Sequence, residues 1–435
     1  MSLAADNSKA TRLLRRIGGL GIALIVLNSM IGAGIFALPA KVAVTAGNFS
    51  PWLFIIVGLL FMSVVLTFAE LGSYFEDTGG PALYASTAFG PTVGFSTGWI
   101  LYISRATAFA ANVSLMAEFL GALVPHFAAG LGRVGFITTV GVLLTWANYR
   151  GVRDGIQTLL VLSALKLSPL LLLMLAGLGE LHTGLLPDQF PKLSEFGAVS
   201  LLVIYAFVGF ESATIVSGEI DQPRKTMPWA LVSTVAAVAV FYFLLVSVYI
   251  AVIPSDKLAT SSLTDAGVIL FGTLGGVMIS CAAIFSIGGN LAAILLAASR
   301  ITFSLGEQKM LPRWFGTVHP RYATPANSIL ALGALSLCFA LSGSFVVLAI
   351  ASSLTRLLTY IVCIAALPSI RRQADTSVRS EALRLPGGYL IPAVALCICL
   401  WMVSYSPVDA WLISGATLLC GLILYLLARR TESPS

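Results

Sequence analysis

Two stretches of the chain, Ser29-Met30-Ile31-Gly32-Ala33-Gly34-Ile35-Phe36 and Tyr205-Ala206-Phe207-Val208-Gly209-Phe210-Glu211-Ser212, set small residues and glycines inside long apolar runs. Each glycine raises the cost of helix by about 1 kcal/mol relative to alanine. A span that leaves helical form in hydrocarbon must line a cavity or lie buried in protein. The chemistry such a break offers is binding. Amides at the start of a half-helix, with its dipole, favour an anion such as a carboxylate, and carbonyls freed at the end of the preceding half-helix favour an ammonium. A zwitterionic amino acid carries both groups. Paired glycines also serve plain helix packing, so the argument rests on two matched stretches and not on either alone.

Charged residues inside apolar runs are the second set. Each costs about 2.5–3.5 kcal/mol at the bilayer centre unless paired or hydrated. Lys166 would exchange a proton during a working cycle, brace the first break through carbonyl hydrogen bonds, or lie at the periphery of the bundle. Glu211 follows the second break, as a gate or as an acceptor that holds the unwound backbone. Arg105 would either face a bound molecule and favour acidic groups or pair with Glu118 or Glu211. Arg300 lies near the end of a run, where snorkelling suffices, whereas Arg356 is a possible pathway pair. Glu70 belongs with polar contacts near one membrane face. Asn28, Ser29, Asn112, Ser286 and Asn290 are polar enough to line a pathway or to bond helices together.

These residues need elements to hold them, and the composition says which. Of 435 residues, 58% are hydrophobic and 10% charged, against roughly 25% charged in soluble domains. Twelve apolar runs of about 20 residues, the length that crosses a bilayer, fall near 17–46, 51–74, 92–125, 132–149, 156–181, 196–220, 229–253, 266–305, 327–343, 345–368, 388–405 and 409–428. The first follows Arg12, Arg15 and Arg16 but is too long for a signal peptide and has no A-x-A-like cleavage site, so it reads as a retained helix. Breaks in the first and sixth runs, five apart, are what two inverted five-helix repeats produce, with a binding site near the midplane. Lys and Arg fall mainly in the N-terminal tail, the even-numbered connections and the C-terminal tail, with Lys41, Arg133, Lys192 and Lys257 opposite. That bias places both termini in the cytoplasm. It also accounts for the net charge of +6 as attraction to anionic lipid, leaving no case for nucleic acid. The six cysteines sit in apolar runs, where they pack as small hydrophobes and give no metal signal.

Gly32-Ala33-Gly34-Ile35-Phe36-Ala37-Leu38-Pro39, Gly79-Gly80-Pro81-Ala82-Leu83-Tyr84 with Phe89-Gly90-Pro91, Gly209-Phe210-Glu211-Ser212, Glu219-Ile220-Asp221-Gln222-Pro223-Arg224-Lys225 and the run from Phe285 through Ser299-Arg300 to Leu311-Pro312 follow in order. Together they resemble the amino acid–polyamine–organocation superfamily of permeases, from Leu20 to about Pro368. The resemblance implies an all-α polytopic membrane protein of 12 transmembrane helices. A tail (1–16) would precede repeats at 17–181 and 196–368, discontinuous in helices 1 and 6, then two accessory helices (388–428) and a tail (429–435). It implies that the substrate carboxylate meets the amides of Ala33 and Gly34, that the ammonium meets carbonyls near Met30, Tyr205 and Val208, and that Tyr205 or Phe207 forms an aromatic lid. Lys166 resembles the span-five lysine that stands in several such permeases where relatives hold sodium.

The function expected is secondary active amino acid transport by alternating access in the plasma (inner) membrane. A neutral amino acid, coupled to a proton or exchanged, leads; acidic or basic amino acids or polyamines are the alternative, and a transporter-like sensor is the reading from another class. No cofactor is expected beyond the coupling proton, and the resemblance leaves open a single-pass accessory subunit of the kind found in one branch of the superfamily. An intramembrane enzyme would need His-Glu-x-x-His or a Ser/His pair within spans, yet His126, His182 and His319 all lie in connections.

Overall fold

Proline and glycine decide where these helices begin and turn. Pro51, Pro81, Pro91 and Pro223 each stand in the first turn of a helix, where a missing N–H costs nothing and the fixed φ is already helical. In the computed structural model of the chain, residues 17–77, 79–151, 155–181, 192–258, 260–322 and 324–432 are described. The expected tail 1–16, Arg153 and His182, and the side chains of Arg429 and Arg430, fall outside the described residues and side chains.

The described elements are helical, apart from an isolated parallel bridge between Ile17 and Ile220. In order they are α1 (Gly19–Met30), α2 (Gly34–Ala46), α3 (Ser50–Ser73), α4 (Pro81–Phe89), α5 (Pro91–Leu123), α6 (Gly130–Arg150), α7 (Gly155–Gly177) and α8 (Leu193–Phe207). Then come α9 (Ser212–Ile215), α10 (Pro223–Val252), α11 (Leu263–Glu307), α12 (Ala326–Ser342), α13 (Phe345–Gln373), α14 (Thr376–Glu381), α15 (Leu390–Ser404) and α16 (Val408–Glu432). Among the described residues, eight helical stretches are long and apolar enough to cross a membrane; Gly19–Met30, Glu195–Phe207, Ala326–Ser342 and Leu390–Ser404 are apolar but shorter. Two of the short ones are α1 and most of α8, the half-helices that run into the breaks.

The outside of the molecule is greasy and its inside partly polar, the reverse of a soluble protein. Leu160, Leu172 and Leu175 on α7 and Leu412, Leu419 and Ile423 on α16 are exposed, whereas Glu70, Arg105, Lys166, Glu211 and Arg356 are buried. Exposed apolar surface on that scale is lipid-facing, and the chain is a multi-pass membrane protein.

The long helix α5 is the inner post of the bundle, packed by α4, α11, α12, α13 and α16. Ser104 on α5 and Ser352 on α13 exchange hydrogen bonds with each other's carbonyls, at 3.0 and 2.9 Å. Small polar residues of this kind let membrane helices approach closely.

Two sequence expectations are refined here. The sixth run breaks within the stretch expected to break, with α8 stopping at Phe207, but the half-helix expected beyond it to residue 220 is only the single turn α9 and a 3₁₀ turn (Ser217–Glu219). The run expected at 266–305 starts at Leu263 and turns sharply at Gly272, whose φ is 67°. A straight helix of its 45 residues would measure about 67 Å, more than twice the hydrocarbon thickness of about 30 Å. The turn folds the first part of α11 back along the second, and the hydroxyls of Thr264 and Ser280 meet at 3.4 Å. Hydropathy registers a glycine there as one more apolar residue and carries no sign of its handedness.

Candidate substrate site

The break in the first span is three residues long. Ile31, Gly32 and Ala33 separate α1 from α2, narrower than the Ser29–Phe36 stretch that the sequence marks. The second covers Val208 to Glu211. The two breaks lie against each other, with α2 packed on α8. Gly209 has φ 119°, and a methyl group on it would collide with the carbonyl oxygen of Ser29. A Cβ on Gly34 would lie 3.2 Å from the Ala206 backbone. Glycine is required at 209 for both its backbone conformation and the close approach.

Most carbonyls freed by the first break are taken by side chains from other helices. Asn290 Nδ2 on α11 donates to the carbonyls of Asn28 and Ser29, both at 3.0 Å. Lys166 Nζ on α7 donates to Ile31 O at 2.8 Å, and Ser286 Oγ donates to the same oxygen at 3.0 Å. Met30 O receives Gly32 N at 2.9 Å and the Tyr242 hydroxyl at 3.4 Å. Tyr242 also donates to Ala206 O at 3.1 Å, tying the two breaks together. Among the described residues, the amides of Ala33 and Gly34 and the carbonyl of Tyr205 have no hydrogen-bond partner.

Those three groups belong to residues that line one small cavity. Met30, Ala33, Gly34, Arg105, Tyr205 and Val208 all stand in its wall, and so do Asn112, Asn290 and Arg356. The Tyr205 hydroxyl donates to Asn112 Oδ1 at 2.7 Å, and Asn112 Nδ2 donates to Asn290 Oδ1 at 2.6 Å. The ring of Tyr205 meets Phe345 edge-on. Phe207 is not among the lining residues. Its ring packs against Phe61 and Tyr242 and over Gly58, so of the two expected lids only Tyr205 borders the cavity.

Glu211 stands outside the cavity wall, fully buried and fully used. Its Oε1 accepts Arg105 Nη2 at 3.0 Å; its Oε2 accepts the Tyr360 hydroxyl at 2.8 Å and Gly209 N at 2.9 Å. Arg356 Nε lies 3.6 Å from Oε1 and donates to Ser104 Oγ at 2.9 Å. One carboxylate thus serves two buried guanidiniums and also fixes the conformation of Gly209. The pairing expected for Arg105 is the one with Glu211; Glu118 instead lies near Arg133 at 3.6 Å.

The amino acid permease profile matches residues 17–426, nearly the whole chain. The chain belongs to the amino acid permease family. A methylthioribose transporter of Bacillus subtilis is 26% identical over 98% of this permease and 96% of its own length. A serine/threonine exchanger of the same organism is 27% identical over 94% and 95%. An uncharacterized transporter of Mycobacterium tuberculosis is 27% identical over 74% and 73%. This permease is therefore a membrane transporter and not an enzyme.

The remaining charged residues of the permease sort by depth. Glu70 near the end of α3 holds Arg371 of α13 through two contacts of 2.7 Å, and accepts Leu385 N at 3.2 Å. Arg300 donates back to Leu296 O of its own helix. Two site residues escape a reading of the sequence altogether, Tyr242 and Tyr360. A tyrosine inside an apolar run is the one available signal, because a buried hydroxyl needs a partner. Its identity depends on the fold.

Proposed function

We propose that this permease carries an α-amino acid across the inner membrane by alternating access, either with a proton or in exchange for a second amino acid. The observation that carries the reading is the set of groups left unsatisfied around the cavity. Two amides, on Ala33 and Gly34, stand at the start of α2, and the carbonyl of Tyr205 stands at the end of α8. The two amides suit a carboxylate and the carbonyl an ammonium. The serine/threonine exchanger among the relatives fits this reading, and the methylthioribose transporter is the reason an uncharged sugar serves as the control.

In this reading the chain crosses the membrane twelve times, with 17–181 and 196–368 as oppositely oriented repeats and 388–428 as accessory helices. Both termini face the cytoplasm, following the Lys and Arg bias. Tyr205 closes over the bound amino acid. Glu211 ties the second break to α5 and α13, so a path past it opens only when the contacts to Arg105, Arg356 and Tyr360 part. Lys166 is the coupling residue. Its hydrogen bond to Ile31 O couples its proton to the shape of the first break.

The test is thermal unfolding of the purified, full-length permease with amino acids, and with matched amines and carboxylic acids that lack one of the two charged groups. A ligand at 100 times its dissociation constant adds about 2.7 kcal/mol to the native state. The reading requires that at least one amino acid raises Tm and that its one-charge analogues do not. A sugar or simple amine acting as well as any amino acid would end it.

A further inference from the structure

The charges around the cavity do not balance. Arg105 and Arg356 both stand in its wall, each at most 3% exposed, and the carboxylate that reaches them is that of Glu211 alone among the described residues. Arg105 spends Nη2 on Glu211 and on Ser212 Oγ at 2.8 Å, while its Nε is buried with no partner among the described residues. Arg356 spends Nε on Ser104, and its two terminal nitrogens have no acceptor among the described residues. Glu211 faces both guanidiniums and also accepts from Tyr360 and Gly209, but its single negative charge offsets only one of the two positive ones. The trio carries a net charge of about +1 in a setting where an unpaired buried charge is strongly destabilising. A guanidinium cannot relieve this by giving up its proton.

We infer that Arg105 and Arg356 form a subsite for a second anionic group on the cargo, so that the permease prefers an α-amino acid with an acidic side chain over its neutral counterparts. This rests on the amino acid reading above and gives it a substrate class different from the neutral one expected from sequence. The α-carboxylate takes the amides of Ala33 and Gly34, and the side-chain carboxylate takes the unspent guanidinium nitrogens on the same cavity. An acidic side chain neutralises the trio; an amide of the same shape leaves it at +1.

The experiment is a binding titration of the full-length permease in detergent, read by thermal shift and by calorimetry. The probes are L-aspartate, L-glutamate, L-asparagine, L-glutamine and L-serine, in chloride and in gluconate buffers. At least one acid should bind tenfold or more tighter than its amide in both buffers. Arg356→Gln should remove that preference, so that acid and amide bind within about twofold of each other. Amides binding as well as acids would overturn the inference and leave the amino acid reading standing. The inference falls in the same way if chloride alone stabilises the permease and erases the preference, because the subsite would then hold an inorganic anion. No binding by any amino acid would sink both. Where Arg356→Gln does not fold, the comparison of acid with amide on the unaltered permease decides the matter by itself.

Discussion

Glu211→Gln is the substitution from which the structure predicts most. The side chain keeps its shape and loses its charge, so packing is conserved and electrostatics alone are tested. Around it stand a guanidinium at 3.0 Å, a second at 3.6 Å, a phenol donor at 2.8 Å and a backbone donor at 2.9 Å. A carboxylate accepts from all of them, whereas an amide must turn its NH₂ toward at least one donor. Removing one partner of a buried ion pair costs about 3–5 kcal/mol. At about 2 °C per kcal/mol for a large domain, Tm should fall by about 6–10 °C, measured at one fixed scan rate in one detergent. The sign of the charge effect is checked by a second change. Glu211→Gln takes the trio from about +1 to +2, and Arg105→Gln in that background returns it to +1, so the double variant should recover more than half of the lost stability. A single variant within 2 °C of the parent, or a double variant that loses the sum of the two single losses, would refute the claim that Glu211 acts as the counter-charge.

Other positions answer narrower questions. Gly209→Ala should lower stability by more than about 2 kcal/mol, because φ 119° is strained for any L side chain and the new methyl meets Ser29 O; size-exclusion profiles and Tm in detergent will report it. Asn290→Ala uncovers the carbonyls of Asn28 and Ser29, at about 1–3 kcal/mol for each buried acceptor left bare, and should lower Tm while Asn112 loses its partner. Lys166→Ala should cut uptake driven by an inward proton gradient in proteoliposomes at least tenfold while ligand-induced thermal stabilisation persists. Loss of both together would make Lys166 a brace for Ile31 and not the coupling residue.

How far the sequence reaches into this site depends on what each feature requires. Span ends are legible because length and apolarity set them: the run expected at 51–74 is the helix Ser50–Ser73, and that at 92–125 is Pro91–Leu123. The breaks are legible because they need glycine, although Ile31–Ala33 and Val208–Glu211 are shorter than the stretches that flag them. Tyr205 and Phe207 cannot be told apart without the helix in place. They lie two residues apart on α8, about 200° around its axis, so they face opposite ways, and only the packing of α3 and α10 says which way is inward. The meeting of Arg105, Glu211, Arg356 and Tyr360 draws on α5, α13 and the second break, separated by more than a hundred residues. No local pattern encodes that.

The way the breaks are satisfied bears on what the cavity selects. Unwinding a helix in hydrocarbon exposes polar groups that neither lipid nor apolar side chains can meet. Here the carbonyls of Asn28, Ser29, Met30, Ile31 and Ala206 are all covered by the protein, through Asn290, Tyr242, Lys166 and Ser286 or the neighbouring Gly32 amide. What stays uncovered at the breaks, among the described residues, includes the amides of Ala33, Gly34 and Ile35, the carbonyls of Tyr205, Phe207 and Val208, and guanidinium nitrogens of Arg105 and Arg356. The free carbonyls are of the kind that takes an ammonium, and the amides and guanidiniums are of the kind that takes anionic oxygen; the acidic cargo proposed above would engage both sets. Side chains of the protein itself cover most of the carbonyls of the first break, so under the proposed function the groups left for a cargo to choose between are the uncovered ones.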